Sequence, residues 1–368
     1  MLQAIQLHNF KCFEHLHIQL SSLNILSGLN GMGKSTVIQA LIALRQTAES
    51  NHLYKGLILN SDRESLGTGR DVLYGSHAKD DESIGFCLQY NNISYNFNYN
   101  YADSDYLPLI NEAAIDFENI EKENLFRQSF CYVSAERLGP RQIYDKSNYE
   151  INVCNQLGTH GEMTVGYLIE RGSDSTGTAS VRHPGKPDAK QISTQVDCWL
   201  SDISPNTMIS LHDYSNAHRA GLGFRTASNY GYFDCNATNV GFGLSYVLPV
   251  IVALLKAEPG DLLIIENPEA HLHPAGQRRI GELIARCATA GVQVIIETHS
   301  DHLLNGIRLA VKHNLIHAVD VSLFYFSMET DSSRRIVASP KISPEGLLDI
   351  WPEGFFDEWD KAIDELFM

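Results

Sequence analysis

Residues 28–36 read Gly-Leu-Asn-Gly-Met-Gly-Lys-Ser-Thr and match Gly-x-x-x-x-Gly-Lys-Ser/Thr at every fixed position. The motif demands a strand entering, a helix leaving, and backbone N–H groups turned toward one anion between them. Gly28, Gly31 and Gly33 give the chain the freedom to make that turn. Lys34 brings positive charge to the β- and γ-phosphates, and Ser35 offers a hydroxyl to Mg²⁺. Asn30 and Thr36 complete the candidate phosphate contacts. The flanks agree with this reading. Residues 22–27 form a buried-strand pattern, and residues 37–44 read as a helix with few polar side chains. A nucleoside triphosphate, ATP, with Mg²⁺ is the expected ligand.

The chain has 368 residues and 43% hydrophobic content, enough for a proper core. Its formal net charge of -16 argues against a generally basic DNA-coating protein, while leaving room for a local basic groove. Seven cysteines lie scattered without a Cys-x-x-Cys pair, as expected for reduced thiols in the cytoplasm. The first residues lack signal-peptide features. The longest apolar run, 247–255, contains Pro249 and is too short to cross a membrane.

Residues 2–7 alternate as an edge or half-buried strand would, and 15–20 alternate again. Residues 84–101 read as one or two antiparallel strands, and 130–134 as a buried strand before a charged turn at 136–141. From 142 to 236 the sequence is rich in Ser, Gly, Asn and Asp. There, 172–178 and 183–187 read as mobile loops in an irregular or helical subdomain. An α/β pattern then resumes, with strands at 261–266 and 292–297. Between them lies an amphipathic helix, 277–290, with Ile280, Leu283, Ile284 and Cys287 on one face and Gly291 at its end. Strand, helix, strand at this spacing implies a parallel unit. The expected division is 1–141, 142–236 and 237–368.

A phosphate loop needs a partner carboxylate for Mg²⁺, and Glu266 stands at the end of the apolar run 262–265. The stretch 266–274, Glu-Asn-Pro-Glu-Ala-His-Leu-His-Pro, resembles the Walker B and D-loop segment of SMC-like ABC ATPases. Thr-His-Ser at 298–300 resembles their switch histidine, and Asn-Phe-Lys-Cys-Phe at 9–13 their N-terminal segment. Residues 67–75, 134–141 and 351–359 look like a bacterial group of these ATPases ending in a short domain of unknown function.

The resemblance implies an α/β P-loop NTPase, an ABC-type head with an inserted subdomain where SMC proteins carry their coiled coil. It implies a head-to-tail homodimer, or a higher homo-oligomer, enclosing ATP between one phosphate loop and the other copy's signature helix. Residues 239–245 are the signature candidate, with Gly241 and Gly243 allowing close approach and Asn239 or Ser245 supplying a side chain. Ser35 and Glu266 would hold the metal, Gln142 would be the Q-loop glutamine, and His299 would sense the γ-phosphate. Most such heads carry Glu where this chain has Asn267. An amide orients water but does not accept its proton, so slow turnover is expected, with Glu269, His271 or His273 as neighbouring groups. The spacing of His271 and His273 also suits a metal, though spacing alone is weak support.

The implied function is an ATP-driven switch controlling a separate effector, a nuclease or toxin, in phage defence or DNA maintenance. Two alternatives stand beside it. One is a RecF-type repair ATPase touching DNA through Arg219, Arg225, Arg334 and Arg335. The other is a non-hydrolysing scaffold. No Toprim nuclease is embedded in the chain.

Overall fold

Leu2, Ala4, Ile5, Leu7 and Phe10 are all buried, more than one half-exposed strand face would hide. The reason is position. The strand Leu2–Phe10 is interior rather than at an edge, lying between Phe13–Gln19 and Ser83–Tyr90, with Ile93–Asn100 outside the latter in a four-stranded antiparallel sheet. The computed structural model describes every residue except 77–81, 92, 111–114, 229–230, 330–333, 357 and 368. It divides the chain into two compact units. The first comprises Met1–Arg127, Ser322–Lys341 and Ile350–Met368; the second comprises Gln128–Val321 and Ile342–Asp349.

In the first unit, the stretch read as one or two strands is a hairpin, registered from Ser83↔Asn100 to Tyr90↔Ile93. Its aromatic side chains fill the core: Phe10 meets Phe86 edge-on at 4.9 Å between ring centroids. The strand Leu23–Gly28 lies beside Val321–Met328, which returns as a hairpin to Arg335–Ala338. The helix Lys34–Glu49 is buried over most of its surface, which explains its shortage of polar residues. Buried Arg45 is satisfied by the carbonyls of Leu125 and Arg127, at 3.1 and 2.6 Å, and by Glu49.

In the second unit, Cys131–Val133, Leu262–Glu266 and Gln293–Glu297 form a parallel sheet, with Ile265 opposite Val133 and Glu266 opposite Glu297. The connecting helix, Pro274–Thr289, buries Ile280, Leu283, Ile284 and Cys287 completely, as their spacing requires. Gly291 leaves it at φ 85°, a left-handed conformation that favours glycine.

Residues 142–236 are neither irregular nor simply helical. Thr207–Tyr214, Arg219–Ser228 and Gly231–Asn236 form an antiparallel sheet that Ile143–Asp145 joins through Arg219–Gly221. Polar residues on half-exposed strands hid that sheet from a hydrophobic pattern. The region also packs on elements beyond its bounds. Its helix Ile192–Ile203 packs on Phe242–Lys256 and Pro274–Thr289 and buries Trp199 completely. Accordingly, the unit boundaries do not coincide with 141/142 and 236/237.

The two segments read as mobile are tied down. The Thr176 N–H donates to Lys190 O at 2.8 Å and the Gly177 N–H to Leu255 O at 2.9 Å. His183 pairs with Asp202 at 2.9 Å. All seven cysteines are free thiols. Among the described residues, no helix is long and apolar enough to cross a membrane.

Candidate functional site

The phosphate loop lies wholly in the first unit. Gly28, Gly31 and Gly33 all have positive φ, at 137°, 75° and 105°. Space is as restrictive as torsion at two of them. A Cβ on Gly28 would lie 2.1 Å from the Phe326 carbonyl oxygen, and one on Gly33 would lie 2.5 Å from the Phe13 ring and 2.6 Å from Cys12 Sγ. At Gly31 only the torsion matters, since a Cβ there meets nothing within 4 Å.

Gly33 caps the helix Lys34–Glu49, whose free N–H groups and dipole face the loop. Lys34 is buried, and its Nζ donates to the carbonyls of Gly28 at 3.0 Å and Leu29 at 2.8 Å. Ser35 is half-buried in the first turn, and Asn30 and Gly31 are exposed at the loop tip. Thr36 Oγ1 is 3.4 Å from Cys12 Sγ, which pins the turn after Phe10 against the helix start. A cradle of strained glycines, a lysine and an exposed helix N-terminus fits the polyphosphate of ATP.

A cavity of about 650 Å³ opens beside this loop, lined among others by Lys11, His15, Asp71, Tyr74, Arg334 and Arg335. Burial holds the Lys11 amine below its ordinary range and lifts the Cys12 thiol above its own. Arg335 reaches back so that its Nε donates to Gly31 O at 3.3 Å.

The candidate metal carboxylate lies in the second unit. Glu266 ends its strand half-buried, and its Oε2 accepts the Ala135 N–H at 2.9 Å. Around it runs a network centred on Arg137. The guanidinium donates to the carbonyls of Ser134 at 2.9 Å, Glu266 at 2.6 Å, Asn267 at 2.7 Å and Tyr246 at 2.9 Å. It also stacks over the Tyr246 ring at 4.6 Å. Burial pulls its pKa down to about 10, which leaves it charged at neutral pH. The sequence reading covered this segment as a charged turn and missed the role of Arg137. The available signal was an arginine four residues past a fully buried strand.

Asn267 stands at φ 43°, where Asn is among the few residues accommodated at low cost. Its backbone N–H donates to Glu297 O at 2.8 Å, and its buried Oδ1 has no hydrogen-bond partner. Glu269 is buried too. Its Oε1 accepts the His299 N–H at 3.0 Å, its Oε2 has no partner, and burial raises its pKa above the ordinary carboxylate value. The structure thus ties the turn after the acid strand to the end of the next strand, where the His299 side chain is exposed.

The signature candidate opens the helix Phe242–Lys256 with Gly241 as N-cap. A Cβ on Gly243 would lie 2.4 Å from His271 O, so this glycine lets the helix start pack on the turn. Phe242 and Tyr246 hold the His271 ring at 4.8 and 4.9 Å. Asn239 and Gly241 are exposed, whereas Ser245 is buried. His273 caps the helix Pro274–Thr289 through Nδ1. His271 and His273 therefore have packing and capping roles, and the described residues contain no cluster of three or more metal-ligating side chains. Gln142 is exposed, and its carbonyl accepts the Leu222 N–H at 3.3 Å. Of the arginines considered for DNA, Arg219 pairs with Asp145 and Arg225 with Asp234.

Three family models match in succession. Residues 1–162 match "AAA ATPase domain", residues 163–305 match "AAA domain, putative AbiEii toxin, Type IV TA system", and residues 316–366 match "Protein of unknown function (DUF3696)". No curated protein matches the chain. Among solved structures, an SMC head bound to the C-winged helix domain of ScpA is similar, with 14% identity and a TM-score of 0.57 over 92% of this chain and 98% of that one. A second is an SMC head domain with an extended coiled coil, bound to the C-terminal domain of ScpA derived from Pyrococcus furiosus. It has 14% identity and a TM-score of 0.53 over 100% of this chain and 99% of that one. At such identity the likeness concerns the fold, an α/β P-loop NTPase fold.

Proposed function

We propose that the chain, whose successive parts match AAA ATPase domains and a domain of unknown function and whose fold resembles SMC heads, is a slow, ATP-driven switch of the SMC-like ABC type. Lys34 and Ser35 engage the phosphates and Mg²⁺, Glu266 takes the metal, and two copies close on ATP to govern a separate effector. The observation that carries this reading is the glycine cradle around Lys34. Asn267 supports slow turnover, since it directly follows the acid strand where the resemblance leads one to expect a glutamate, and its amide oxygen is unpartnered. Its left-handed backbone supplies a second, conformational reason for Asn at that position.

The exposed helix start at Asn239, Gly241 and Phe242 supports a docking role for a second copy's nucleotide. Asn239, rather than buried Ser245, is the side chain available to it. The ScpA domains in the similar SMC structures support a dedicated partner protein. The toxin–antitoxin description of one matching family supports a defence role.

ATP turnover and ATP-dependent dimer formation of wild type, Lys34→Ala and Asn267→Asp test the proposal. Asp keeps a residue suited to positive φ while adding a carboxylate. Slow wild-type turnover, raised by Asn267→Asp and abolished by Lys34→Ala, is expected. Fast wild-type turnover indifferent to residue 267 would overturn it. Zero turnover with ATP-dependent assembly would favour the scaffold reading, which the same Asn267 supports.

A further inference from the structure

We infer that Arg335 is a polyphosphate-sensing cation, through which the C-terminal domain of unknown function reads the nucleotide. The inference rests on the proposed ATP site and assigns that domain a task in it. Arg335 lies inside the segment matched as DUF3696, residues 316–366. It opens the strand Arg335–Ala338, opposite Met328 of the strand Val321–Met328.

The hairpin is fixed to the phosphate loop at close range. Gly28 packs so tightly on Phe326 that a Cβ would meet the Phe326 carbonyl at 2.1 Å, and the Phe13 and Phe326 rings lie 6.2 Å apart. From this mount Arg335 extends over the loop tip and donates Nε–H to Gly31 O at 3.3 Å. The same side chain lines the cavity beside the loop, together with Lys11 and Arg334. A guanidinium offers five N–H donors in a planar fork suited to phosphate oxygens. Polyphosphate bound in the cradle presents such oxygens, so it competes with Gly31 O for Arg335. Nucleotide occupancy thereby becomes a pull on the hairpin. Arg335 is a positioning and binding group; no bond is made or broken by it.

The test uses the full chain and titrates ATP and AMP separately into wild type, Arg335→Ala, Arg335→Lys and Lys34→Ala. Arg335→Ala should weaken ATP binding about tenfold, as loss of a charge-assisted contact does, and should weaken AMP binding far less. Arg335→Lys should recover part of the ATP affinity, and melting without nucleotide should match wild type. Equal losses for ATP and AMP, unchanged ATP affinity, or no recovery with lysine would overturn the inference while leaving the ATP site standing. A wild type that binds no ATP would overturn both.

Discussion

Replacing Arg137 by alanine should destabilise the second unit more than any surface change. The side chain is buried and donates to four backbone carbonyls that belong to three segments: Ser134, Tyr246, and the adjacent pair Glu266 and Asn267. A hydrogen bond to a charged group contributes about 1.5–3 kcal/mol. The four contacts share one donor group, and water would reach some of the exposed carbonyls. A net loss of about 3–5 kcal/mol is therefore expected, the range for breaking a buried charged network. Folded domains are stable by only about 5–15 kcal/mol, so the midpoint of urea unfolding should fall markedly. Trp199, fully buried in the same unit, is a fluorescence reporter. Arg137→Lys keeps a charge with a single nitrogen and should fall between wild type and Arg137→Ala. A loss below about 1 kcal/mol for Arg137→Ala would refute the network's importance.

Gly33→Ala combines a φ of 105° with a Cβ 2.5 Å from the Phe13 ring. It should cost about 1–3 kcal/mol in overpacking and weaken ATP binding in a nucleotide titration. Gly243→Ala drives a Cβ to 2.4 Å from His271 O; ATP-dependent dimerisation, followed by sedimentation, should fail before the fold does. Glu269→Gln tests a linkage. Burial raises the pKa of Glu269 above the ordinary carboxylate value of 4.5, so the folded state holds this proton more tightly than the unfolded chain. Its contribution is full below that value and is lost as pH rises through the raised one. The glutamine variant should therefore be the more stable protein at neutral pH, with the difference shrinking as pH falls toward 4.5 in denaturant titrations. A constant difference would exclude Glu269 as its source.

The phosphate loop and the strands Leu262–Glu266 and Gln293–Glu297 were legible because each is written locally. Glycines, a lysine and apolar runs of four to six residues need no distant information. The helix Pro274–Thr289 was legible for the same reason, through the spacing of Ile280, Leu283, Ile284 and Cys287. The antiparallel sheet of residues 207–236 was not. The strand Thr207–Tyr214 runs from a buried first residue through half-buried ones to three exposed in succession, and it carries Ser, His and Asp, so no alternation marks it. The interior place of Leu2–Phe10 was hidden because it depends on Ser83–Tyr90, distant in sequence. Arg137 was hard to assign because its contacts are backbone carbonyls, and any residue supplies a carbonyl.

The Glu269 bond to the His299 N–H has a mechanical consequence. It clamps the end of the strand Gln293–Glu297 to the turn whose His271 carbonyl supports Gly243 and whose His271 ring seats Phe242. The strand end and the helix start are thus two ends of one short lever with a buried, one-handed carboxylate as its pivot. Coupling through such a contact chain is reciprocal. On the proposed reading, a phosphate that moved His299 would alter what the helix start offers to a partner, and a partner seated there would alter how His299 meets a phosphate. Glu269 would therefore be felt in timing, in how long a closed state lasts, more than in how tightly any single ligand is held.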